Sequence, residues 1–159
     1  MVEAVQFKGH TDQVSTVSVD WKNGYALSGS CDASLRFWNL NSQHCERVLI
    51  GHCSSIRTAV VDWTFQRAIS SAVGDAVRVW DLGRSDSDPA LLSTGCPCIT
   101  ESLAALSTAS AAFIDRSGTA EFWDLESQTC ISKFEGHPGT LYYFHFGNTE
   151  EIETVETWS

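Results

Sequence analysis

Basic residues are scarce in this 159-residue chain: ten lysines and arginines stand against twenty aspartates and glutamates, which gives a formal net charge of −10. An acidic surface repels phosphate backbones and anionic lipids, so direct nucleic-acid binding is disfavoured. Long apolar runs are missing too, since no stretch approaches the roughly 18 residues of a membrane-spanning helix. The start, MVEAVQFKGH, lacks the basic segment and apolar core of a secretory signal. We therefore expect an intracellular protein, cytoplasmic or nuclear, without membrane insertion.

Signals for disulfide bonds and metal sites are also poor, although six cysteines are present. Thiols stay reduced where no secretory signal directs the chain to an oxidising compartment. Cys96 and Cys98 form a C-x-C pair rather than the two C-x2-C pairs of a zinc site. Cys45 and Cys130 each follow a tryptophan by seven residues, so repetition explains their positions. We predict structural thiols, with no cofactor and no bound metal.

The chain does contain a clear internal repeat with a period in the low forties. A shift of 42 residues superimposes the first unit on the second without a gap, and the motif Trp-Asp-Leu recurs 43 residues further on, at residues 123–125. The first two units share Gly9 with Gly51, His10 with His52, Trp21 with Trp63, Ser28 with Ser70, Arg36 with Arg78 and Trp38 with Trp80. This period, with a Gly-His start and a Trp-Asp end, is a signature of propeller blades.

On these residues the chain resembles the WD-repeat β-propeller family over nearly its whole length. The resemblance implies an all-β fold, a partial propeller with three four-stranded antiparallel blades and an incomplete fourth. Within one propeller region, residues 1–159, the repeats are expected at about 9–50, 51–94, 95–135 and 136–159. The third repeat is degenerate because Gly95-Cys96 replaces Gly-His, and the fourth is truncated because only 22 residues separate Gly136 from Trp158.

Apolar residues that alternate along the first unit predict its strands. The prediction places strands at 25–30, 35–40 and 45–50, after a first strand that carries Val14, Val17 and Val19. Trp21 and Trp63 end the first strand of their units in phase with its core-facing residues, so both are expected to pack in the core.

The strand before each Gly-His pair is, in the family, the outer strand of the preceding blade. Residues 2–8 would therefore be the outer strand of a closing or preceding blade. Three arrangements remain open: a fragment of a larger propeller of roughly seven blades, half of an oligomeric ring, or a closed four-bladed form.

Four side chains per blade form a hydrogen-bonded chain in this family, and the first unit matches them with His10, Ser28, Asp32 and Trp38. The indole donates to the serine, the serine donates to the imidazole, and the aspartate accepts from the other imidazole nitrogen. The same residue types make up nucleophilic triads. Because the constellation repeats and the indole occupies the serine, we predict a structural role and no catalytic residues.

The second unit supplies His52, Ser70 and Trp80 for the same chain of hydrogen bonds. Gly74 takes the place of Asp32, with Asp75 one residue later. We therefore expect an incomplete network in the second unit unless its turn shifts, and we expect the first unit to have the most firmly held loops. The third unit has Ser117 at the aspartate position and no matching histidine, so its network should be absent.

The resemblance implies a non-enzymatic scaffold or adaptor that presents loops of the propeller rim to proteins or peptides. Its candidate contact positions are Thr11, Asp12, Gln13, Cys31, Cys53, Ser54, Ser55 and Val73. One alternative is a hydrolytic or metal-dependent propeller enzyme, and its candidates are Asp115, Cys96, Cys98 and His145. Another is a truncated segment without a function of its own. Open blade edges favour self-association, and an aromatic strand at 141–146 would be an exposed patch if no blade covers it.

Overall fold

The computed structural model describes residues 5–84, 90–92, 100–107, 110–115, 119–125, 127, 129–135, 141–145 and 154–158. Within these ranges all regular elements are β-strands, arranged as three four-stranded antiparallel sheets and one two-stranded sheet. The same ranges contain no helix long and apolar enough to cross a membrane. The predicted partial propeller, with three complete blades and an incomplete fourth, is confirmed.

Blade one consists of the strands β1 (Val14–Asp20), β2 (Tyr25–Ser30), β3 (Ser34–Asn39) and β4 (His44–Ile50), which pair in chain order. The predicted second, third and fourth strands agree with these bounds to within one residue. Tight turns separate the strands, and Gly24 and Gln43 adopt positive φ angles of 75° and 61° in two of them. The positive φ suits glycine, which has no Cβ to clash with the following carbonyl.

Blades two and three repeat this order. Blade two comprises β5 (Ile56–Asp62), β6 (Arg67–Ala72), β7 (Val77–Asp81) and β8 (Ala90–Leu92). Blade three comprises β9 (Thr100–Ser107), β10 (Ser110–Asp115), β11 (Thr119–Asp124) and β12 (Thr129–Glu135). The third repeat still forms four paired strands, although its Gly-His pair is lost, because sheet formation depends on the alternating pattern of the strands rather than on that loop.

The last sheet has two strands, β13 (Leu141–His145) and β14 (Thr154–Trp158), paired antiparallel. Leu141 lies opposite Trp158, so Trp158 belongs to the second strand of this sheet. The outer strand expected at 2–8 lies partly outside the described residues. In its described part, 5–8, no strand is assigned, because a strand forms only against a partner strand.

The hydrophobic core lies between consecutive blades. We call the side of each blade that carries the Trp-Asp or Trp-Asn tryptophan its front face, and the opposite side its back face. The back face of blade one packs on the front face of blade two through Leu27, Leu35, Phe37, Leu49, Ile56, Ala68, Trp80 and Leu82. A second cluster joins Ile69, Val77 and Val79 of blade two to Trp123 of blade three. Each fully buried aliphatic or aromatic side chain contributes about 1.5–3 kcal/mol.

Blades one and two approach closely at Gly29. A Cβ added there would lie 2.7 Å from Ile56 Cγ2 and 2.8 Å from Thr16 Cγ2, so any larger residue would force the blades apart. The two repeat tryptophans that directly follow β1 and β5, Trp21 and Trp63, differ in this packing. Trp63 is half-buried against blade one, whereas Trp21 is 83% exposed. The expectation of core packing is wrong for Trp21 because no described sheet faces it.

Candidate functional site

The four predicted network side chains of blade one lie within hydrogen-bond distance of one another. The indole Nε1 of Trp38 donates to Ser28 Oγ at 2.8 Å. Ser28 Oγ lies 2.8 Å from His10 Nε2, and His10 Nδ1 lies 2.8 Å from Asp32 Oδ2. A carboxylate can only accept, so Nδ1 carries the imidazole proton and the serine hydroxyl donates to Nε2. The whole chain of bonds therefore runs from the indole to the carboxylate.

Close packing explains why a glycine precedes this histidine. A Cβ on Gly9 would lie 2.7 Å from Arg36 Nη1 and 3.0 Å from the Trp38 ring. The backbone at Gly9 therefore lies directly against the β3 side chains, and His10 enters the blade beside them. The Gly-His pair thus has a steric reason for its glycine and a hydrogen-bonding reason for its histidine.

Blade two has the complete network, and the expectation that it would be incomplete is wrong. Trp80 Nε1 donates to Ser70 Oγ at 2.7 Å, and Ser70 Oγ lies 2.7 Å from His52 Nε2. His52 Nδ1 then lies 2.8 Å from Asp75 Oδ2. Asp75 also accepts the Cys53 backbone N–H at 3.0 Å, as Asp32 accepts that of Thr11 at the same distance.

A one-residue shift of the turn after the second strand brings Asp75 into place. In blade one the positive φ of 66° belongs to Ala33, the residue after Asp32. In blade two it belongs to Gly74, the residue before Asp75, also at 66°. The residue with left-handed backbone thus follows the aspartate in blade one and precedes it in blade two. The carboxylate of Asp75 therefore reaches the Nδ1 atom of its histidine from a position one residue later in the repeat. Gly74 adopts this conformation without the steric cost of a side chain.

The acid–base properties of the network residues follow from burial and hydrogen bonding. Burial raises the pKa of Asp32, but hydrogen bonds from Ser34 Oγ, the Thr11 N–H and His10 outweigh it and hold this pKa well below its usual range. Burial also raises the pKa of Asp75, and the Cys53 N–H and His52 lower it by more. Burial lowers the pKa of His52, against the opposing effect of Asp75. The network of blade two therefore pairs an ionised carboxylate with a neutral imidazole.

These distances also match those of a nucleophilic triad. Burial of the serines decides between a catalytic role and a structural role. Ser70 is fully buried, and Ser28 is 6% exposed. Each hydroxyl oxygen also accepts an indole N–H. A nucleophile must reach a substrate carbonyl, and a buried hydroxyl that packs under an indole ring is not accessible to one. The arrangement is suited to holding strands and loops together rather than to acyl transfer.

In blade three the tryptophan indole donates to a glutamate. The indole Nε1 of Trp123 donates to Glu121 Oε2 at 3.1 Å. Glu121 stands two residues before the tryptophan, where blades one and two have Arg36 and Arg78. Lys133 lies 3.3 Å from the other carboxylate oxygen of Glu121. Ser117, expected at the aspartate position, lies outside the described residues.

The predicted rim residues lie in the loops that the two networks tie down. Thr11, Asp12, Gln13, Cys53 and Val73 are exposed, whereas Cys31, Ser54 and Ser55 are half-buried. The Cys31 N–H donates to Gln13 O at 2.8 Å, and the Val73 N–H donates to Ser55 O at 3.0 Å. In each blade the loop before the first strand is thus bonded to the turn after the second.

Hydrogen bonds between blades add residues that the sequence did not single out. Ser55 Oγ donates to Cys31 O at 3.2 Å, which joins the rim loops of blades one and two. Arg47 Nη1 donates to Leu82 O at 2.9 Å and to Asp81 O at 3.3 Å. Trp63 Nε1 donates to Ser18 Oγ at 3.2 Å. Arg47 and Ser18 are not repeated in the second unit, so the repeat pattern could not reveal them.

The described residues contain no group of three or more His, Cys, Asp or Glu side chains that could hold a metal ion. Cys45 and Cys130 donate to the carbonyl oxygens two residues ahead, those of Arg47 and Ser132. Burial and the charge of Glu121 raise the pKa of Cys130, which favours the protonated thiol. Cys96 and Cys98 lie outside the described residues, as do the side chains of Asp115 and His145.

Comparisons with known proteins agree with this architecture. The family model of the WD domain, G-beta repeat, matches residues 2–39. The ribosome biogenesis protein BOP1 homologs of Drosophila willistoni and Drosophila melanogaster are each 40% identical over 48 residues, which is 30% of this chain. The matched segment spans only 6% of the length of those relatives.

The fold is similar to that of the WD40 β-propeller domain of Doa1. The TM-score is 0.69 at 19% sequence identity, and the match covers 96% of this chain and 52% of the Doa1 chain. This similarity concerns the fold alone. The fold is therefore that of a partial WD40-type β-propeller, and the repeat match at residues 2–39 and the tryptophan networks are similar to those of WD-repeat proteins.

Proposed function

We propose that this chain is a non-enzymatic scaffold or adaptor that binds proteins or peptides at the rim formed by the loops before β1 and β5 and the turns after β2 and β6. The observation that carries the proposal is the hydrogen bond from Ser55 Oγ to Cys31 O, because it joins the loops of two blades into one surface. Asp32 and Asp75 hold the same loops in place, because they accept the backbone N–H groups of Thr11 and Cys53. A surface that is already ordered loses little conformational entropy on binding.

The chemistry of the rim favours protein partners. Its exposed residues are uncharged apart from the carboxylate of Asp12, and they include the apolar side chain of Val73. The net charge of −10 disfavours nucleic acid as a direct partner. We propose an intracellular location, cytoplasmic or nuclear, and one propeller region with repeats at 9–50, 51–94, 95–135 and 136–159.

Affinity capture with paired variants tests the rim. The double variant Gln13→Arg/Cys53→Arg changes two exposed rim side chains in different blades. Ser42→Lys is the matched control, since Ser42 is equally exposed in the turn between β3 and β4, at the opposite end of blade one. We expect partners that the wild-type chain captures to be lost from the double variant and kept by the control. Partners retained equally by all three proteins would contradict the rim assignment.

The geometry of the two serine networks makes hydrolysis the alternative to test. A fluorophosphonate probe labels a serine that is both activated and accessible. Because Ser28 and Ser70 are buried under their tryptophans, we expect neither to be labelled in the folded protein. Stoichiometric labelling of either serine would favour a hydrolytic enzyme over a scaffold.

A further inference from the structure

The turn between β1 and β2 contains the only Asn-Gly pair in the sequence, Asn23 and Gly24. Asparagine is chemically labile in such a pair, because the backbone nitrogen of the next residue can attack the carbon of the side-chain amide. Glycine has no side chain to hinder that attack. Asn23 is exposed, so water also reaches its amide. The turn therefore brings together the three reactants of a deamidation: a backbone nitrogen, a side-chain amide and water.

Asp20 holds both reacting groups in the folded turn. Asn23 Nδ2 donates to Asp20 Oδ2 at 2.6 Å, and the Gly24 N–H donates to Asp20 O at 2.9 Å. Asp20 Oδ1 accepts the backbone N–H groups of Lys22 and Asn23 at 3.1 and 3.2 Å. The bond from the Asn23 amide is also the main reason why the pKa of Asp20 lies below its ordinary 3.8. The Gly24 nitrogen can attack only after it loses its proton and the Asn23 amide leaves Asp20, so the turn must open first.

Blade two forms the same turn without a reactive asparagine. A shift of 42 residues places the pair Phe65-Gln66 on the Asn-Gly pair of blade one. Gln66 has a positive φ of 51°, where Gly24 has 75°. Asp62 Oδ1 accepts the N–H groups of Thr64 and Phe65 at 2.9 and 3.3 Å, which is the pattern of the first turn. The conformation of the turn therefore does not require Asn-Gly, and blade two supplies a matched turn for comparison.

We propose that Asn23 is a site of spontaneous deamidation, which the folded turn protects and which opening of the turn activates. In the first step the Gly24 nitrogen forms a bond to Cγ of Asn23. The side-chain nitrogen leaves as ammonia and takes the proton that Gly24 has lost, so a succinimide ring remains. Water then adds to either carbonyl of the ring and opens it, which gives aspartate or isoaspartate at position 23.

Neither product can form the original turn again. A carboxylate at position 23 has no N–H to donate, and it would face Asp20 Oδ2 across the distance of the lost hydrogen bond, where two negative charges repel. Isoaspartate also adds a methylene group to the main chain between Asp20 and Tyr25, which pair across β1 and β2. Each opening that leads to reaction thus leaves a permanent change. The modified fraction therefore records how often the turn has opened.

Incubation of the full chain at neutral pH tests the proposal, with mass spectrometry of the peptide that contains Asn23 and isoaspartyl methyltransferase labelling as the two readouts. Asp20→Ala should deamidate at least about tenfold faster than the wild type, because loss of the bonds to its carboxylate makes the turn open more often. Asp62→Ala is the matched control, since it removes the equivalent backbone bonds from the turn of blade two. Asn23 should react in this control as slowly as in the wild type.

A second variant keeps the test decisive if Asp20→Ala fails to fold by circular dichroism. Asp20→Ser keeps a side-chain oxygen that can accept the backbone N–H groups of the turn, but it is too short to hold the Asn23 amide, so the rate should still rise. Urea that unfolds the wild-type chain should raise the rate in the same way. A wild-type chain that reacts as fast when folded as in urea overturns the proposal. So does a rate that both Asp20 variants leave unchanged, or one that Asp62→Ala raises equally.

Discussion

Asp75 Oδ2 lies 2.8 Å from His52 Nδ1, the separation that also joins Asp32 to His10 in blade one. Asp75 stands 43 residues after Asp32, while the histidines, serines and tryptophans of the two networks are 42 residues apart. A turn that shifts by one residue preserves the bond. The geometry of the imidazole and the carboxylate is therefore maintained in both blades although the sequence register is not.

Ser70→Ala should destabilise the protein by about 1–3 kcal/mol, because it leaves the Trp80 indole N–H without its buried acceptor and His52 Nε2 without its donor. Ser71→Ala is a matched control in the next residue. Ser71 is also fully buried, but its Oγ has no hydrogen-bond partner among the described residues. Urea denaturation followed by tryptophan fluorescence measures both. Equal losses for the two variants would show that burial, not the network, explains the effect.

The shifted turn predicts opposite effects of exchanging glycine and alanine. Gly74→Ala places a Cβ at a φ of 66° and should cost about 1 kcal/mol, although the space around it is open. Ala33→Gly removes the steric cost of the same conformation in blade one, so it should stabilise the folded protein by about 0.5 kcal/mol. Thermal denaturation of both variants checks the signs. A stabilising Gly74→Ala would contradict the turn geometry.

The sequence predicted blade one closely, because strand alternation and turn residues are local properties. The second, third and fourth strands of that blade agree with the structure to within one residue. Superposing the repeats could not predict the network partner in blade two, because Gly74 aligns with Asp32. The alignment does not show that the residue with positive φ follows the aspartate in blade one and precedes it in blade two. The glycine itself is the one local sign that the turn differs.

Contacts between blades were harder to predict from the sequence. Trp21 ends its strand in phase with core residues, but that pattern indicates a core position only if another sheet faces it. Arg47 and Ser18 bond to blade two from positions without a repeat equivalent of the same type. Such contacts depend on how two sheets pack together. Neither the strand propensity of the residues nor the period of the repeat determines that packing.

Arg47→Met should cost about 0.5–1.5 kcal/mol, because it keeps the aliphatic stem and removes the guanidinium that donates to Leu82 O and Asp81 O of blade two. Arg57→Met is the control, since Arg57 is exposed on β5. Urea denaturation of the two variants compares them. A loss of stability for Arg57→Met as large as for Arg47→Met would point to charge rather than to the inter-blade bond.

Acidification should destabilise the fold in two steps. Burial holds the pKa of folded His52 below its ordinary 6.5, so its contribution is present above pH 6.5 and falls as the unfolded chain takes up the proton below it. The pKa values of folded Asp32 and Asp75 lie below the ordinary 3.8, so their contribution is lost as the pH falls below 3.8. Melting temperatures from neutral to acidic pH measure both steps. His52→Gln should flatten the first step and keep the part of the second step that comes from Asp32, and an unchanged first step would contradict the assignment.

The central claim is that each tryptophan–serine–histidine–aspartate network is a structural tie that holds the rim. Hydrogen exchange of the indole Nε1–H protons, followed by NMR, tests it most directly. We expect slow exchange for Trp38 and Trp80, fast exchange for the exposed Trp21 in the monomeric protein, and selective loss of Trp80 protection in Ser70→Ala. Exchange at Trp38 and Trp80 as fast as at Trp21, or Trp80 protection unchanged in Ser70→Ala, would contradict the account.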